Sequence, residues 1–327
     1  MDERDLLERL AGGPVSGATL ARETGMSRAA VWKRIEGLRA AGIPVAALPG
    51  RGYALSRSPD LLDPAAIRDR LPEPVRAALA SLEVAWSLDS SNSELLRRPS
   101  PARGSAVLLA ERQTGGRGRR GRSWASPLAA NLYLSLDRRY AGGLARLPGL
   151  SLVAGVAAAE ALHALGYTQV RLKWPNDLVV NDGSGLRKLG GLLVEGGGEV
   201  AGPARAVVGL GLNIAMPGPV GAAIDQPWVD LAGLSGGEPP SRNVVAVALL
   251  ARLLPALAEF DAAGLAGFLP RHAALDALAG REVLLHGERG TTAAVALGLA
   301  ADGALRVRVG AREQVVYAGE VSVRAAP

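Results

Sequence analysis

The sequence predicts an α+β protein in three parts: a small helical unit closed by a basic hairpin, a central domain of strands and helices around a mixed sheet, and a C-terminal all-β module. Three observations carry this. Apolar residues recur at helical spacing up to about residue 40, short apolar runs alternate with two long helical patterns from about residue 82, and five strand-like runs follow one another across glycine turns after about residue 280. The expected boundaries are 1–58 for the first unit, 59–81 for a linker, 82–278 for the central domain and 279–327 for the last. Residues 82–327 are expected to fold without what precedes them.

In the first unit Leu6, Leu7 and Leu10 mark one amphipathic helix, Ser16 is placed to cap a second that runs through Ala21 to Thr24, and "TGMS" makes the turn into a third. The third helix, "SRAAVWKRIEGLRAAG", has Val31, Ile35 and Leu38 on its buried side, which leaves Ser27, Arg28, Lys33 and Arg34 for solvent or phosphates. Trp32 falls about 100° around the helix from Val31, on the reading face or under the hairpin. "VAALPGRGYALS" reads as two short strands with Arg51 at the tip. Three helices and a basic hairpin are the plan of a winged helix-turn-helix, with the third helix shaped for a major groove. A three-helix protein-binding module shares the outline; arginines on both the third helix and the hairpin tip favour DNA.

"SRSPDLLDPAAIRDRLPEPVRAAL" has four prolines and a short amphipathic piece at Ile67–Leu71, the pattern of a linker with a helical turn or two. Beyond it "EVAWSL", "AVLLAER", "NLYLSL", "VRLKW", "KLGGLLVE" and "RAVVGLGLNI" are strand-like, while 148–165 and 242–260 are helical in period. "REVLLHG", "TTAAVALGLA", "ALRVRVG", "EQVVYAG" and "VSVRA" then describe a small β-barrel of SH3-like type.

Composition excludes several classes. No cysteine is present, so disulfides, thiolate metal sites and cysteine nucleophiles are out. The net charge of +6 arises from 37 basic residues interspersed with 31 acidic ones, so any contact with a polyanion is local. The charged start "MDERDLLERL" is no signal peptide, and Ala/Gly-rich stretches are expected to be broken by charge before reaching membrane-spanning length. A cytoplasmic protein without a membrane partner is the expectation.

The densest motif is "GGRGRRGRSWASP" at 115–127. It fits a dinucleotide fingerprint and nearly a P-loop as a string, but both require a helix to follow at once, and here Pro127 and the alternating "NLYLSL" follow instead. A disordered RNA-binding segment is long and polar, whereas this stretch is short and lies between two apolar strands. What is left is an ordered loop whose glycines admit a ligand close to the backbone and whose guanidiniums suit its phosphate or carboxylate. "KWPNDL" at 173–178 and "KLGGLLVE" at 188–195 place further polar groups at sheet edges; each alone reads equally well as a surface turn or a solvated strand start.

Together these stretches resemble the bifunctional biotin-protein ligases that double as biotin operon repressors. "LDSSN" (88–92), "ERQTGGRGRRGRSW" (111–124), "ANLYLSL" (130–136), "KWPNDL", "KLGGLLVE", "GLGLNIAM" (209–216) and "QPWVDL" (226–231) recur in the family's order, and "GMSRAAVWKRIEGLRAAGI" with "PGRGYAL" resembles its DNA-binding domain. The resemblance implies a central domain of the biotin/lipoate ligase type and a two-step reaction, in which biotin and MgATP give biotinyl-5'-AMP and a carrier-protein lysine then takes the biotin. It implies that Ser90, Ser91, Asn92 and Gln113 bind the biotin head and that Arg117, Gly118 and Arg119 close over its carboxylate and the phosphate. Lys188, which also contacts biotin, would be catalytic with Arg119. Arg120, Arg122, Lys173, Asn176, Asp177, Asn213 and Trp228 would hold ATP or the adenylate. The Mg2+ ion comes with the nucleotide, and no protein ligands to a metal are assigned.

The implied partners are a biotin carboxyl carrier protein domain, operator DNA of biotin genes through Ser27, Arg28, Trp32, Lys33, Arg34 and Arg51, and a second copy of the chain once adenylate is bound. The loops at 112–124 and 214–228 are expected to order around the ligand. Ser91 stands where a threonine is common, and "NDGSGLRKL" is longer than the family's connection, so Lys188 is matched through "KLGGLLVE". Competing readings are a lipoate-protein ligase, a sensor that has lost its activity, and a ligase whose winged unit no longer represses. The arginine loop and "KWPND" oppose the first, Lys188 and Arg119 oppose the second, and Trp32 with the Pro/Gly/Ala-rich lid keeps the third open.

Overall fold

The computed structural model describes residues 3–141, 143, 147–198, 203–287, 290–318 and 322–325, the last four by backbone only. The N-terminal unit is built from α1 (Glu3–Ala11), α2 (Gly17–Thr24), α3 (Arg28–Ala40), β1 (Val45–Leu48) and β2 (Gly52–Leu55). The Ser16 hydroxyl caps α2 by accepting from the Thr19 amide, Gly25 ends it in the left-handed conformation, and the Ser27 hydroxyl caps α3 through the Ala30 amide. Leu6, Leu7, Leu10, Leu20, Val31, Ile35 and Leu38 are buried together as their periodicity requires. That small core also takes in Leu128 of the central domain, whose amide donates to Ala41 O at 2.9 Å. Glu3 accepts from the Trp86 indole at 2.9 Å and from Arg112 at 3.2 Å, so the winged unit rests on the segments that flank the arginine loop.

Residues 59–81 are not a bare linker. They form α4 (Pro64–Arg70), capped by Asp63, then α5 (Glu73–Ala77) and the start of β3 (Leu79–Ala85). Leu62, Ile67, Leu71, Val75 and Leu79 are buried in the main core of the central domain. Prolines at the first turns of both helices start them instead of breaking the chain, which is why a proline-rich stretch looked like a connector.

The central domain continues with α6 (Ser91–Arg97), β4 (Ser105–Ala110), β5 (Leu132–Tyr140), α7 (Pro148–Ala164), β6 (Arg171–Lys173), β7 (Asp177–Asn181), β8 (Leu186–Gly198), β9 (Ala204–Leu212), α8 (Gly218–Gly221), α9 (Leu231–Leu234), α10 (Arg242–Ala263) and α11 (Phe268–Leu275). Its seven-stranded mixed sheet has the order β3-β4-β5-β9-β8-β7-β6, with β3 and β4 parallel and the other pairs antiparallel. Strand alternation gives the sheet two different faces. Leu132, Leu134 and Leu136 of β5 and Val208, Leu210 and Leu212 of β9 join the core under α7 and α10, whereas Tyr133, Ser135, Gly209 and Gly211 belong to the opposite face, beside α6. β7 is a strand absent from the runs expected from the sequence.

One described helix, α10, is long and apolar enough by length and composition to cross a membrane, contrary to the expectation that charge interrupts every such stretch. Its apolar side is buried against α7 in the core, which is the reason for its composition.

The last module contains β10 (Glu282–Gly287), β11 (Gly290–Leu299), β12 (Leu305–Val309), β13 (Arg312–Val316) and β14 (Ser322–Ala325) in one antiparallel sheet of order β13-β12-β11-β10-β14. A bulge between Ala296 and Gly298 bends it around a core of Leu278, Val283, Leu285, Leu305 and Val307, as an SH3-like module needs. The expected last strand begins at residue 321, which lies outside the described residues, as does residue 319 at the end of the strand before it. Trp174 belongs to this core and donates to Gly303 O at 3.0 Å, so "KWP" is a buried joint between two domains and no surface turn.

Candidate functional site: a cationic cleft on the glycine face of the sheet

The cleft lies on the sheet face beside α6, with a volume of about 1310 Å³. Its floor follows from "GLGL" and "LGGLL": Leu189, Leu192, Leu210 and Leu212 belong to the core while Gly209, Gly211 and Gly191 leave much of the other face without side chains. A methyl group on Gly211 would sit 2.5 Å from the Trp124 ring, and one on Gly209 would overlap the Asn92 amide. Both side chains therefore lie directly on backbone.

At one end Ser90 caps α6 and holds Ser91 and Asn92 in place, all three buried. Gln113 Oε1 accepts from the Ser91 amide at 2.9 Å and hydroxyl at 3.1 Å, and its own amide donates to Ser126 at 3.1 Å. The Ser135 hydroxyl lies 2.7 Å from both Ser91 Oγ and Asn92 Oδ1. These groups form a preoriented polar pocket that suits a neutral polar ring.

The arginine loop is a hairpin. Trp124 N donates to Gly116 O at 2.8 Å and Gly118 N to Arg122 O at 2.7 Å, and the turn places Arg120 and Gly121 both in the left-handed region (φ 57° and 71°), the geometry of a type I' turn. Arg117 is paired with Glu195 at 3.0 Å and donates to Ser93 at 2.8 Å; the same carboxylate accepts from Asn92 at 2.9 Å. Arg119 turns the other way, donating to Ala318 O of the C-terminal module at 2.6 Å and to Asn176 Oδ1 at 3.4 Å. Burial, and after it the charge of Arg120, pull the Arg119 guanidinium below its ordinary pKa, so a bound anion would be welcome there.

Lys188 stands at the centre. An irregularity in the β7–β8 register between Leu178 and Val179 sets its position, its Nζ lies 2.8 Å from Asp177 Oδ1 and its ammonium sits 5.5 Å from the Trp124 ring centre. Trp124 Nε1 and Asn213 Oδ1 are buried without partners. Two unsatisfied polar atoms on one cleft wall are costly unless a ligand or water completes them. On the far side Lys173 ends β6 and Asn176 lies in the β6–β7 turn, where it donates to Leu192 O at 2.8 Å. The lid, residues 214–228, folds over with α8 and brings Trp228, whose indole donates to Gly221 O at 3.0 Å.

Every ligand residue expected from the sequence lines this cleft, including Arg120, Arg122 and Asn213. Glu195, Ser135 and Trp124 were not expected as site residues, although all three stand inside the family's motifs. The alternation of glycine with leucine was the signal that one sheet face is a floor. Among the described residues no group of three histidine, aspartate or glutamate side chains could cage a metal. Asp177 offers a carboxylate beside Lys188, which fits an Mg2+ ion carried in on a nucleotide's phosphates, since such ions keep few protein ligands.

The residues expected to meet DNA lie apart from the cleft. Arg28, Lys33, Arg34 and Arg51 are exposed, and Trp32 is 55% exposed on α3. Ser27 is the cap of that helix.

Comparison with known proteins agrees with this division. Residues 87–213 match the model of the biotin/lipoate A/B protein ligase family, 3–54 that of an HTH domain and 279–324 that of the biotin protein ligase C-terminal domain. The chain is 39% identical over 323 residues to the bifunctional ligase/repressor BirA of Salmonella typhimurium, covering 98% of this chain and 97% of that protein, with the same figures for its Escherichia coli counterpart. The biotin protein ligase of Aquifex aeolicus, solved in complex with biotin and ATP, superposes with a TM-score of 0.62 at 26% identity, covering 76% of this chain and 99% of that one.

Proposed function

The chain belongs to the family of bifunctional biotin-protein ligases and biotin repressors, and from that premise we propose how its cleft and its winged unit divide the work. It is a ligase that activates biotin with ATP and transfers it to protein, and a repressor that binds DNA through its N-terminal domain. The observation that carries the site assignment is convergence: residues scattered from Ser90 to Trp228 line a single cationic cleft.

In the first step a carboxylate oxygen of biotin attacks the α-phosphorus of MgATP, the bond to the bridging oxygen breaks, and pyrophosphate leaves. Ser90, Ser91, Asn92 and Gln113 hold the apolar, neutral-headed biotin over the glycine floor. Two anions must meet, so Lys188, Arg117 and Arg119 offset their repulsion and the charge gathering at phosphorus. Arg120, Arg122, Lys173, Asn176, Asp177 and Asn213 take the phosphates and ribose end, and Trp228 covers the base from the lid. In the second step the ε-amine of a carrier lysine attacks the acyl carbon of the mixed anhydride, AMP departs, and the lysine's proton passes to solvent. The arginine hairpin and the lid keep water from the anhydride until then.

The carrier is a biotin carboxyl carrier protein domain, the chain works in the cytoplasm where ATP and that carrier are, and adenylate pairs two chains on a half-site repeat. The test mixes the protein with biotin, ATP, Mg2+ and a carrier domain, with lipoate offered side by side. Pyrophosphate release and a one-biotin mass gain on one carrier lysine are expected; transfer of lipoate instead would overturn the substrate assignment. For the repressor, Arg28→Ala and Arg51→Ala should each lower the salt slope of dimer binding to the inverted repeat upstream of the host's biotin genes by about 1.8, one phosphate contact per protomer. Biotinylation should be unchanged in both.

A further inference from the structure

Most of the polar groups in the cleft region serve the ligand, but one buried network lies behind the cleft wall, reaching it only at Met216. Asn131, fully buried at the head of β5, accepts at Oδ1 from the Ile214 amide at 2.8 Å and the Ala215 amide at 3.3 Å, and its Nδ2 reaches Met216 Sδ at 3.5 Å. Those three residues are the root of the lid. Asn131's own carbonyl accepts from Arg242 Nη1 at 3.1 Å. Arg242 pairs with Glu111 at 2.7 Å, both side chains 3% exposed, and donates to the Asp60 carbonyl. Glu111 in turn accepts from the Leu62 amide at 2.6 Å, and its carbonyl accepts from Ala129 at 3.0 Å.

Glu111 stands two residues before Gln113, so the network joins the root of the arginine hairpin, the root of the lid and the segment that leads in from the winged unit. A buried ion pair is weak evidence for stability, since apolar residues of similar volume often serve as well. Its value here lies in what it connects. Asn131, Arg242 and Glu111 are absent from the cleft wall.

We propose that Asn131 is a positioning residue, and that the Arg242–Glu111 pair locks its backbone, so that both ligand loops start from one fixed frame. The proposal deepens the ligase reading and rests on it. Loops that start from a fixed frame close in one arrangement; without the frame, closure costs more ordering and the bound adenylate escapes sooner.

The test compares Asn131→Leu, which removes the acceptor at similar volume, with Asn131→Asp, which keeps it, and with Glu111→Gln, which keeps the bond to Leu62 while weakening the tie to Arg242. Three quantities are read: the dissociation rate of preformed biotinyl-5'-AMP in a chase, the adenylation kcat and biotin KM, and hydrogen-exchange protection of the 214 and 215 amides in ligand-free protein. For Asn131→Leu the expectation is adenylate release faster by about tenfold, a raised KM, kcat within about threefold, and lost amide protection. Asn131→Asp should keep the protection of the 214 and 215 amides, and Glu111→Gln should release adenylate about threefold faster. Should Asn131→Leu fold too poorly for kinetics, Glu111→Gln alone decides. Lowered stability with an unchanged off-rate in the folded fraction would overturn the proposal, because it would make the network merely structural. A wild-type protein that forms no adenylate sinks the ligase reading instead, while unchanged protection at 214 and 215 in Asn131→Leu sinks the frame by itself.

Discussion

Cutting the chain at residue 82 should destroy the central domain, whereas cutting it at 59 should spare it. Residues 59–81 contribute Leu62, Ile67, Leu71, Val75 and Leu79 to the main core. Each fully buried aliphatic side chain stabilises by about 1.5–3 kcal/mol, so the five together contribute roughly 8–15 kcal/mol. That is an upper bound, because unfolded chains already bury part of this surface. Even so it equals the whole stability of an ordinary domain, about 5–15 kcal/mol. The cut also deprives Glu111 of the Leu62 amide and Arg242 of the Asp60 carbonyl, leaving a buried ion pair without two of its partners. Fragments 59–327 and 82–327 would be melted by circular dichroism and tryptophan fluorescence. The longer fragment should unfold cooperatively, weakened chiefly at Leu128, which loses its cover from the winged unit; the shorter should show no cooperative transition. A midpoint for 82–327 within about 5 °C of the longer fragment would refute the reasoning, since for a chain of this size it corresponds to only one or two kcal/mol.

Three further outcomes are expected. Lys188→Ala removes the charge at the centre of the cleft and should slow pyrophosphate release by about 10²- to 10³-fold at saturating substrate, with a cooperative melt retained. Gly211→Ala puts a methyl group 2.5 Å from the Trp124 ring, which must then leave the glycine floor; a raised biotin KM is expected in steady-state assays, and an unchanged KM would mean that the floor does not seat the ligand. His272, 2% exposed with Nδ1 unpartnered, has its pKa lowered by burial, so the unfolded chain binds its proton first and stability is lost as pH falls through the ordinary histidine range. Burial pushes its neighbour Asp276 up, which acts in the opposite sense at lower pH. Denaturant melts between pH 7 and 5 should show the loss in the wild type and a flatter profile in His272→Leu.

What the sequence determined by itself was whatever depends on neighbours along the chain. Helix caps at Ser16 and Ser27, the buried stripe Val31, Ile35 and Leu38, and the exclusion of a P-loop by Pro127 and "NLYLSL" are local facts, and they hold in the fold because backbone geometry and side-chain period are set over a few residues. The ligand residues were legible for a different reason: glycines and cations packed this densely have few structural uses, and they carry a family's motif. Contacts made at a distance were not legible. Proline at the first turn of a helix looks the same in a linker as in α4 and α5, and only the burial of Ile67 against α10 distinguishes them. Trp174 in "KWP" gave no sign that its partner was Gly303, nor Glu195 that it would hold Arg117 and Asn92 together. Nothing within "GRGRR" says that Arg119 reaches Ala318, because that bond joins two domains whose relative placement is decided by packing across the whole molecule.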